Sequence, residues 1–578
     1  MARSSHPPWG EDTAILRGKR SFAWADLVLV AAVVALLFGV LRLGEEWVAP
    51  ARATVEIDLS PWALPRYALY SLSRGLIAYV LSLGFTLVYG YWAAKSELAA
   101  RVLVPALDVL QSIPVLGFMP GLVLALVAAF PRSNVGLELA AVIMIFTGQA
   151  WNMTFSFYYS LRSVPNDQRE VSTAYRFTWW ERLRWVELPF ATIGLVWNSM
   201  MSMAGGWFFL TINEAFVLGD KDFRLPGLGS YMSVAVARGD TPAMVFAVIA
   251  MALMITSLDQ VLWRPVVVWA QKFRVEEGGQ GVASRSWVLD LLRKSRVLSG
   301  LDRFTKRLSR RRRARPAPPA RAVQVKTTAF SSMLSMALFA ALVLVLVYGG
   351  FRLVMILRGV MLHEWLRLGG AGLLTLGRVV LSTAIGTLWA LPAGLAIGLS
   401  PRLSRVMQPV VQVVASFPAP MLFPLVIVAL RSAHVTLGWG SIVLMLLGTQ
   451  WYILFNVIAG ASAIPSDLLE AARSYRLVGL QRFRALYLPA VFPHLVTGWV
   501  TAAGGAWNAS IVSEFVTVKG ETLSTWGLGA QISEAASSAN FPVLAASVVL
   551  MSILVVVFNR LVWRRMHHLA ESRFSLNK

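Results

Sequence analysis

Cysteine is absent from all 578 residues, which excludes a disulfide framework and any thiolate metal site. Histidine is nearly absent too: six copies, mostly isolated, leave little material for a metal centre. His567 and His568 sit in a polar C-terminal tail and read as a solvated pair. Charge is scarce, at 14% of residues against roughly 25% in a soluble domain. No GxxxxGK[ST] phosphate loop occurs, so the chain carries no P-loop ATPase of its own. What remains is apolar: hydrophobic residues reach 57% and mean hydropathy is +0.62. That is the composition of a polytopic membrane protein.

The net charge of +23 invites a nucleic-acid reading, which its distribution argues against. Between Arg285 and Lys326 lie fourteen Lys/Arg and two acids, Asp290 and Asp302. Further basic residues flank apolar runs at Arg17, Lys19 and Arg20, at Arg264, Lys272 and Arg274, and at Arg560, Arg564 and Arg565. The opposite flanks are mixed or acidic, with Glu45, Glu46, Glu56 and Asp58, then Asp220 and Asp222. Basic flanks on one side of a bilayer are what the positive-inside rule requires, and no nucleic-acid partner is needed to explain the charge.

One unit occurs twice. Pro114 and Pro120 recur 304 residues later as Pro418 and Pro424. Trp151, Pro165, Glu170, Pro189, Trp207, Glu214, Gly227, Gly229 and Trp263 recur at an offset of 300 as Trp451, Pro465, Glu470, Pro489, Trp507, Glu514, Gly527, Gly529 and Trp563. A long self-similar period in an apolar chain marks two copies of one membrane unit.

A span needs roughly 20 apolar residues. The first copy offers runs near 24–43, 68–94, 102–130, 137–160, 189–216 and 242–270. The second offers 330–356, 370–398, 405–430, 437–460, 489–516 and 542–563. An even number per copy, with both linker ends on one side, makes the copies parallel. The expected organisation is a first repeat over 1–270, a basic linker over 271–328 and a second repeat over 329–578. Within the linker, residues 286–308 place apolar side chains at helical spacing against a basic face, which predicts an amphipathic helix on the inner leaflet. Residues 310–321 read as a basic, Pro-rich tether.

On the basic side of each copy a polar segment separates two spans. It reads EVSTAYRFTWWERLRWVELP from Glu170 to Pro189 and EAARSYRLVGLQRFRALYLP from Glu470 to Pro489. Pro165 and Pro465 break the preceding span, and Asn166 or Ser466 is the expected N-cap of a short helix. Leu188-Pro189 and Leu488-Pro489 then open the next membrane helix at a position that tolerates proline.

These segments resemble the EAA signature of ABC-importer permeases: EAA, three residues, Gly, nine residues, Ile-x-Leu-Pro. The resemblance implies that Glu170, Tyr175, Arg176, Leu188 and Pro189 in the first copy form a coupling segment. Glu470, Ala471, Ala472, Tyr475, Arg476, Gly479, Leu488 and Pro489 would do so in the second. Each would sit in a groove of an ATP-binding subunit. Two departures stand out. Arg176 and Arg476 occupy the glycine position, so the turn is expected to move, to Gly479 in the second copy. The first copy also has Val171-Ser172 where Ala-Ala is usual.

A narrower resemblance lies in AGGWFFLTINEAF (204–216) and GGAWNASIVSEFV (504–516), which are similar to the nitrate/sulfonate/taurine importer permeases. It implies an all-α polytopic membrane protein: two parallel six-helix type I permease repeats, about twelve transmembrane helices. It also implies two ATP-binding cassette subunits carrying ATP and Mg, a periplasmic or lipid-anchored substrate-binding protein, and contact with membrane lipids. The chain itself would carry no cofactor, metal or catalytic residue. It would lie in the bacterial inner membrane with both termini cytoplasmic and import a small inorganic or organic anion. Ferric ion, another small solute or ion-coupled transport are the alternatives.

Polar residues inside spans are costly and are candidates for function. They are Gln149, Trp151, Asn152, Trp207, Asn213 and Glu214, with Gln450, Trp451, Trp507, Asn508 and Glu514 in the second copy. Glu214 lies 25 residues beyond Pro189, about 37 Å along a helix, which places it near the outer interface. Because a carboxylate repels an anion, the glutamates are expected to brace or gate the path rather than touch an anion. Asn152, Asn508 and the tryptophans are the expected lining.

Overall fold

The computed structural model describes residues 55–218, 221–273, 347–518 and 521–574, with scattered positions between 31 and 48 and residue 344. The expected span at 24–43, most of that at 330–356, and the linker helix and tether lie outside the described residues.

The first copy runs α1 (Leu64–Lys95), α2 (Glu97–Ser112), α3 (Val115–Ala129), α4 (Val135–Arg162), α5 (Asn166–Ala174), α6 (Trp179–Arg182) and α7 (Leu188–Asn213). A hairpin follows, β1 (Ala215–Leu218) and β2 (Lys221–Arg224), then α8 (Leu228–Arg238), α9 (Thr241–Leu258) and α10 (Arg264–Ala270). The second copy repeats the order: α11 (Leu362–Leu399), α12 (Pro401–Ser416), α13 (Phe423–Ser432), α14 (Leu437–Ser462), α15 (Ser466–Ser474), α16 (Gly479–Arg482) and α17 (Leu488–Ser513). It closes with β3 (Phe515–Val518), β4 (Glu521–Ser524), α18 (Leu528–Ser537), α19 (Phe541–Phe558) and α20 (Arg564–Arg573). The antiparallel hairpins pair in one register, Phe216 with Phe223 and Val516 with Leu523. The apolar runs at 189–216 and 489–516 therefore end as helix at Asn213 and Ser513 and continue as strand.

Among the described residues, seven helices are long and apolar enough to cross a membrane, or eight if the bent pair Pro401–Ser416 and Ala419–Ser432 is one span. The expected continuous spans at 102–130 and 405–430 are each two helices. Ile113 and Phe417 stop α2 and α12 with ψ of 124° and 129°, because a residue before proline is pushed out of the helical region. In the second copy the two pieces meet at 78°.

Contacts between the copies are reciprocal. Helix α9 packs on α12 and α19 packs on α2; α8 meets β3 and α18 meets β1; α17 meets α3 and α7 meets the turn at 419–422. Such exchange of partners is the mark of a twofold relation between like units. One core runs through both, from Met144, Leu210 and Tyr231 to Leu444, Met445 and Met551. Each hairpin touches the short helix beyond the other copy's hairpin, so the two hairpin ends share one end of the bundle. Helices α7 and α17 run 26 residues away from the coupling segments to reach it, about 39 Å. Both segments expected to couple therefore share the opposite end.

Candidate coupling and translocation sites

In each coupling segment Pro165 and Pro465 themselves take the N-cap position in extended conformation, with no side-chain cap. Asn166 and Ser466 are the first helical residues, one place later than the expected cap, because proline's fixed φ suits the extended entry. At the other end Arg176 and Arg476 sit at φ of +50° and +52°. The N–H of Phe177 donates to Ser172 O at 2.9 Å and that of Arg176 to Thr173 O at 3.0 Å. Leu477 to Ala472 and Arg476 to Arg473 repeat this pattern, each at 2.9 Å. This is the Schellman ending, which satisfies orphan carbonyls by placing one residue in the left-handed region.

The turn is thus not displaced: both arginines hold the conformation usually given to glycine. Gly479 has φ +50° in addition, at the start of α16. Relieving the arginine strain gains about 1–2 kcal/mol, whereas glycine's extra freedom in the unfolded chain costs about 0.5–1 kcal/mol. Arg476→Gly should therefore leave the thermal midpoint unchanged or slightly raised. Arg476→Val should lower it by several degrees, since a β-branched residue resists positive φ. Equal midpoints for the two variants would mean that the turn is not held this way.

Beyond the turn the copies differ. Thr178 caps α6 and forms a capping box with Glu181, whose carboxylate is held below its usual pKa by the Thr178 N–H and hydroxyl. Val478 supplies no such cap to α16. One π-helical turn, Leu183–Glu187 or Phe483–Tyr487, then leads into α7 or α17, with Leu188-Pro189 and Leu488-Pro489 in its first turn. Glu170, Glu470 and Ala471 are exposed, whereas Ala472 is buried. Tyr175 and Tyr475 are 74% and 81% exposed. Trp179, Trp180 and Trp185 stand beside the first, Val478 and Leu480 beside the second. Exposed aromatic and apolar patches of this kind mark surfaces that contact a protein or the membrane.

At the opposite end each copy is closed by a buried ionic clamp. Arg74 donates Nε and Nη2 to the two oxygens of Glu138, both at 2.7 Å, and Nη1 to Glu214 Oε1 at 2.8 Å and Pro226 O at 2.7 Å. Ser71 Oγ donates to Glu214 at 2.7 Å, and the Gly229 N–H caps the other carboxylate oxygen at 2.8 Å. All three ionic side chains are fully buried. In the second copy Arg378 Nη1 holds Glu514 at 2.7 Å, with Thr375 in the place of Ser71 and the Gly529 N–H at 2.9 Å. The carboxylates thus cap the N-termini of α8 and α18, where helix dipoles favour negative charge. Gly229 and Gly529 serve close approach: a Cβ there would lie 2.4 Å from Thr211 O or Ser510 O.

Between the copies lies a cavity of about 270 Å³. Helices α4 and α7 contribute Trp151, Asn152 and Ser202; α14 and α17 contribute Trp451, Tyr452, Trp507 and Asn508. Where Pro114 breaks the chain, the freed Val115 N–H donates across the copies to Asn508 Oδ1 at 2.8 Å. No charged side chain lines the cavity among the described residues. Trp151 Nε1 and Ser202 Oγ are buried there without a hydrogen-bond partner among them.

The sequence matches the family described as binding-protein-dependent transport system inner membrane component twice, over residues 86–262 and 386–571, together more than half the chain. The chain belongs to that family. It is a duplicated permease, all-α apart from its hairpins and multi-pass in the membrane. Among similar proteins, the nitrate import permease protein NrtB of Leptolyngbya laminosa is 27% identical over 183 residues, 31% of this chain and 62% of that protein. The bicarbonate transport system permease protein CmpB of Synechocystis is 27% identical over 144 residues, 25% of this chain and 50% of that protein. The taurine transport system permease protein TauC of Escherichia coli is 25% identical over 185 residues, 32% of this chain and 61% of that protein. The chain spans between half and two-thirds of the length of these three relatives.

Of the permease positions expected along the path, the cavity collects Trp151, Asn152, Trp451, Trp507 and Asn508. Gln149 is buried within the first copy beside Ser82 and Met203, and Gln450 accepts from Trp389 Nε1 at 3.0 Å. Trp207 is buried against Gly75. Asn213 is buried off the cavity, and Glu214 and Glu514 belong to the clamps. Sequence reasoning missed Arg74, Arg378 and Glu138. The signal was present: Ser71 and Arg74 recur as Thr375 and Arg378 at the 304-residue offset, and an arginine inside a span calls for a partner.

Proposed function

We propose that this permease is the complete membrane path of an ATP-driven importer for a small anion, its two copies doing the work of two permease chains. Two separate ATP-binding subunits, which carry ATP and Mg, dock on the segments at Glu170–Pro189 and Glu470–Pro489. A periplasmic or lipid-anchored binding protein delivers substrate at the clamp end, and both termini are cytoplasmic. The observation that carries the reading is the cavity between the copies, on the seam that movement of the two coupling segments would shear open or shut.

The lining supports an anion over ferric ion. A ferric ion takes carboxylate or other anionic ligands, and no carboxylate lines the cavity among the described residues. Buried N–H and O–H donors such as Trp151 and Ser202 suit a small oxyanion whose charge is spread over several oxygens. Their neutrality also suits transport, because a fixed cation would hold an anion too firmly to release it. The test is uptake of labelled nitrate, bicarbonate and taurine into proteoliposomes holding the permease, its ATPase and its binding protein. Uptake of one of them that requires ATP is expected; uptake driven by an ion gradient without ATP would make the protein a secondary transporter.

A further inference from the structure

The two clamps are not equal, and the first shows what the second lacks. Arg74 uses four of its five N–H groups and holds two carboxylates, Glu138 bidentately. Arg378 holds one carboxylate, through Nη1, and its Nη2 donates to Thr525 Oγ1 at 3.1 Å. The Nε and two further N–H groups have no partner among the described residues. The reason is one residue: at the 300-residue offset that pairs Trp151 with Trp451, the counterpart of Glu138 is Gly438. A Cβ built on Gly438 would stand 3.4 Å from Thr525 Oγ1, 3.7 Å from Arg378 Nη2 and 3.9 Å from Thr436 Oγ1. Donors therefore surround the place from which the first copy's carboxylate projects. The first-turn N–H groups of α14 begin there as well, because Thr436 gives that helix no side-chain cap.

We infer that this niche is an anion site, taking a planar oxyanion that completes the second clamp as Glu138 completes the first. Guanidinium matches such a group in two parallel N–H···O bonds, the geometry Glu138 adopts on Arg74. Carboxylate count agrees: Arg74 faces two carboxylates, whereas Arg378 faces the single carboxylate of Glu514. Access agrees too: the Arg378 side chain is 12% exposed, so its remaining N–H groups are within reach of a solute. The site is separate from the cavity, whose lining includes none of Arg378, Gly438 or Thr525. It needs neither ATP nor transport, so a failure of the import proposal leaves it standing.

The experiment uses purified full-length permease and its Gly438→Glu variant, which returns the missing carboxylate. Thermal midpoints are measured in acetate, nitrate and chloride at matched ionic strength. The natural protein should show a saturable rise of a few degrees with acetate and nitrate over chloride. Gly438→Glu should start higher and show no such rise. If instead only the binding protein raises the natural midpoint, and Gly438→Glu abolishes that rise, a partner's carboxylate is the occupant. The inference is overturned if no oxyanion or binding-protein effect is seen, or if Gly438→Glu responds as the natural protein does.

Discussion

Arg74→Met is expected to abolish recovery of folded permease. The substitution leaves Glu138 and Glu214 facing each other with no cation, both fully buried. Removing one partner of a buried ion pair costs about 3–5 kcal/mol, against a total stability of about 5–15 kcal/mol. Here one residue serves two carboxylates and the Pro226 carbonyl, so the cost belongs at the upper end. Arg378→Met strands a single carboxylate at a site partly open to solvent, and should yield folded protein with a lowered midpoint. Monodisperse yield and thermal unfolding of both variants measure the contrast. An Arg74→Met midpoint within a few degrees of the natural protein would show that the first clamp does not hold the hairpin end of the bundle together.

The second large effect concerns coupling. The double variant Glu170→Lys, Glu470→Lys should lose ATP-driven uptake by at least about tenfold while its own unfolding midpoint stays unchanged. Both glutamates are exposed and neither takes part in an ion pair among the described residues, so charge reversal costs the fold little. At a docking surface, two reversed charges meet whatever opposed the originals, and tenfold corresponds to only about 1.4 kcal/mol. Each single variant tests the asymmetry. The first dock is broadened by Trp179, Trp180 and Trp185, so Glu170→Lys should do less damage than Glu470→Lys. Full uptake by the double variant would remove these segments from the coupling path.

The duplication and the helix boundaries of both polar segments were legible because they depend on chain-local facts: a proline that ends a helix, a Leu-Pro that starts one, and a fixed spacing between. The Schellman turn was misplaced because sequence reasoning charged arginine the full cost of positive φ. It did not credit the two carbonyls that the ending satisfies, at Ser172 and Thr173 or at Ala472 and Arg473. The breaks at Pro114 and Pro418 were hidden because hydropathy averages across a bend. The pairing of Arg74 with Glu138 and Glu214 spans 64 and 140 residues, and no local pattern announces such partners. Glu214 was placed by helix length alone. What it holds became visible only when the hairpin returned Gly229 to its side.

The central claim is that one chain supplies both halves of the path and both docks. Native mass measurement of the detergent-solubilised complex with its ATPase tests it most directly. One permease chain bound to two ATPase subunits is the expected result, and two permease chains for each ATPase pair would contradict it.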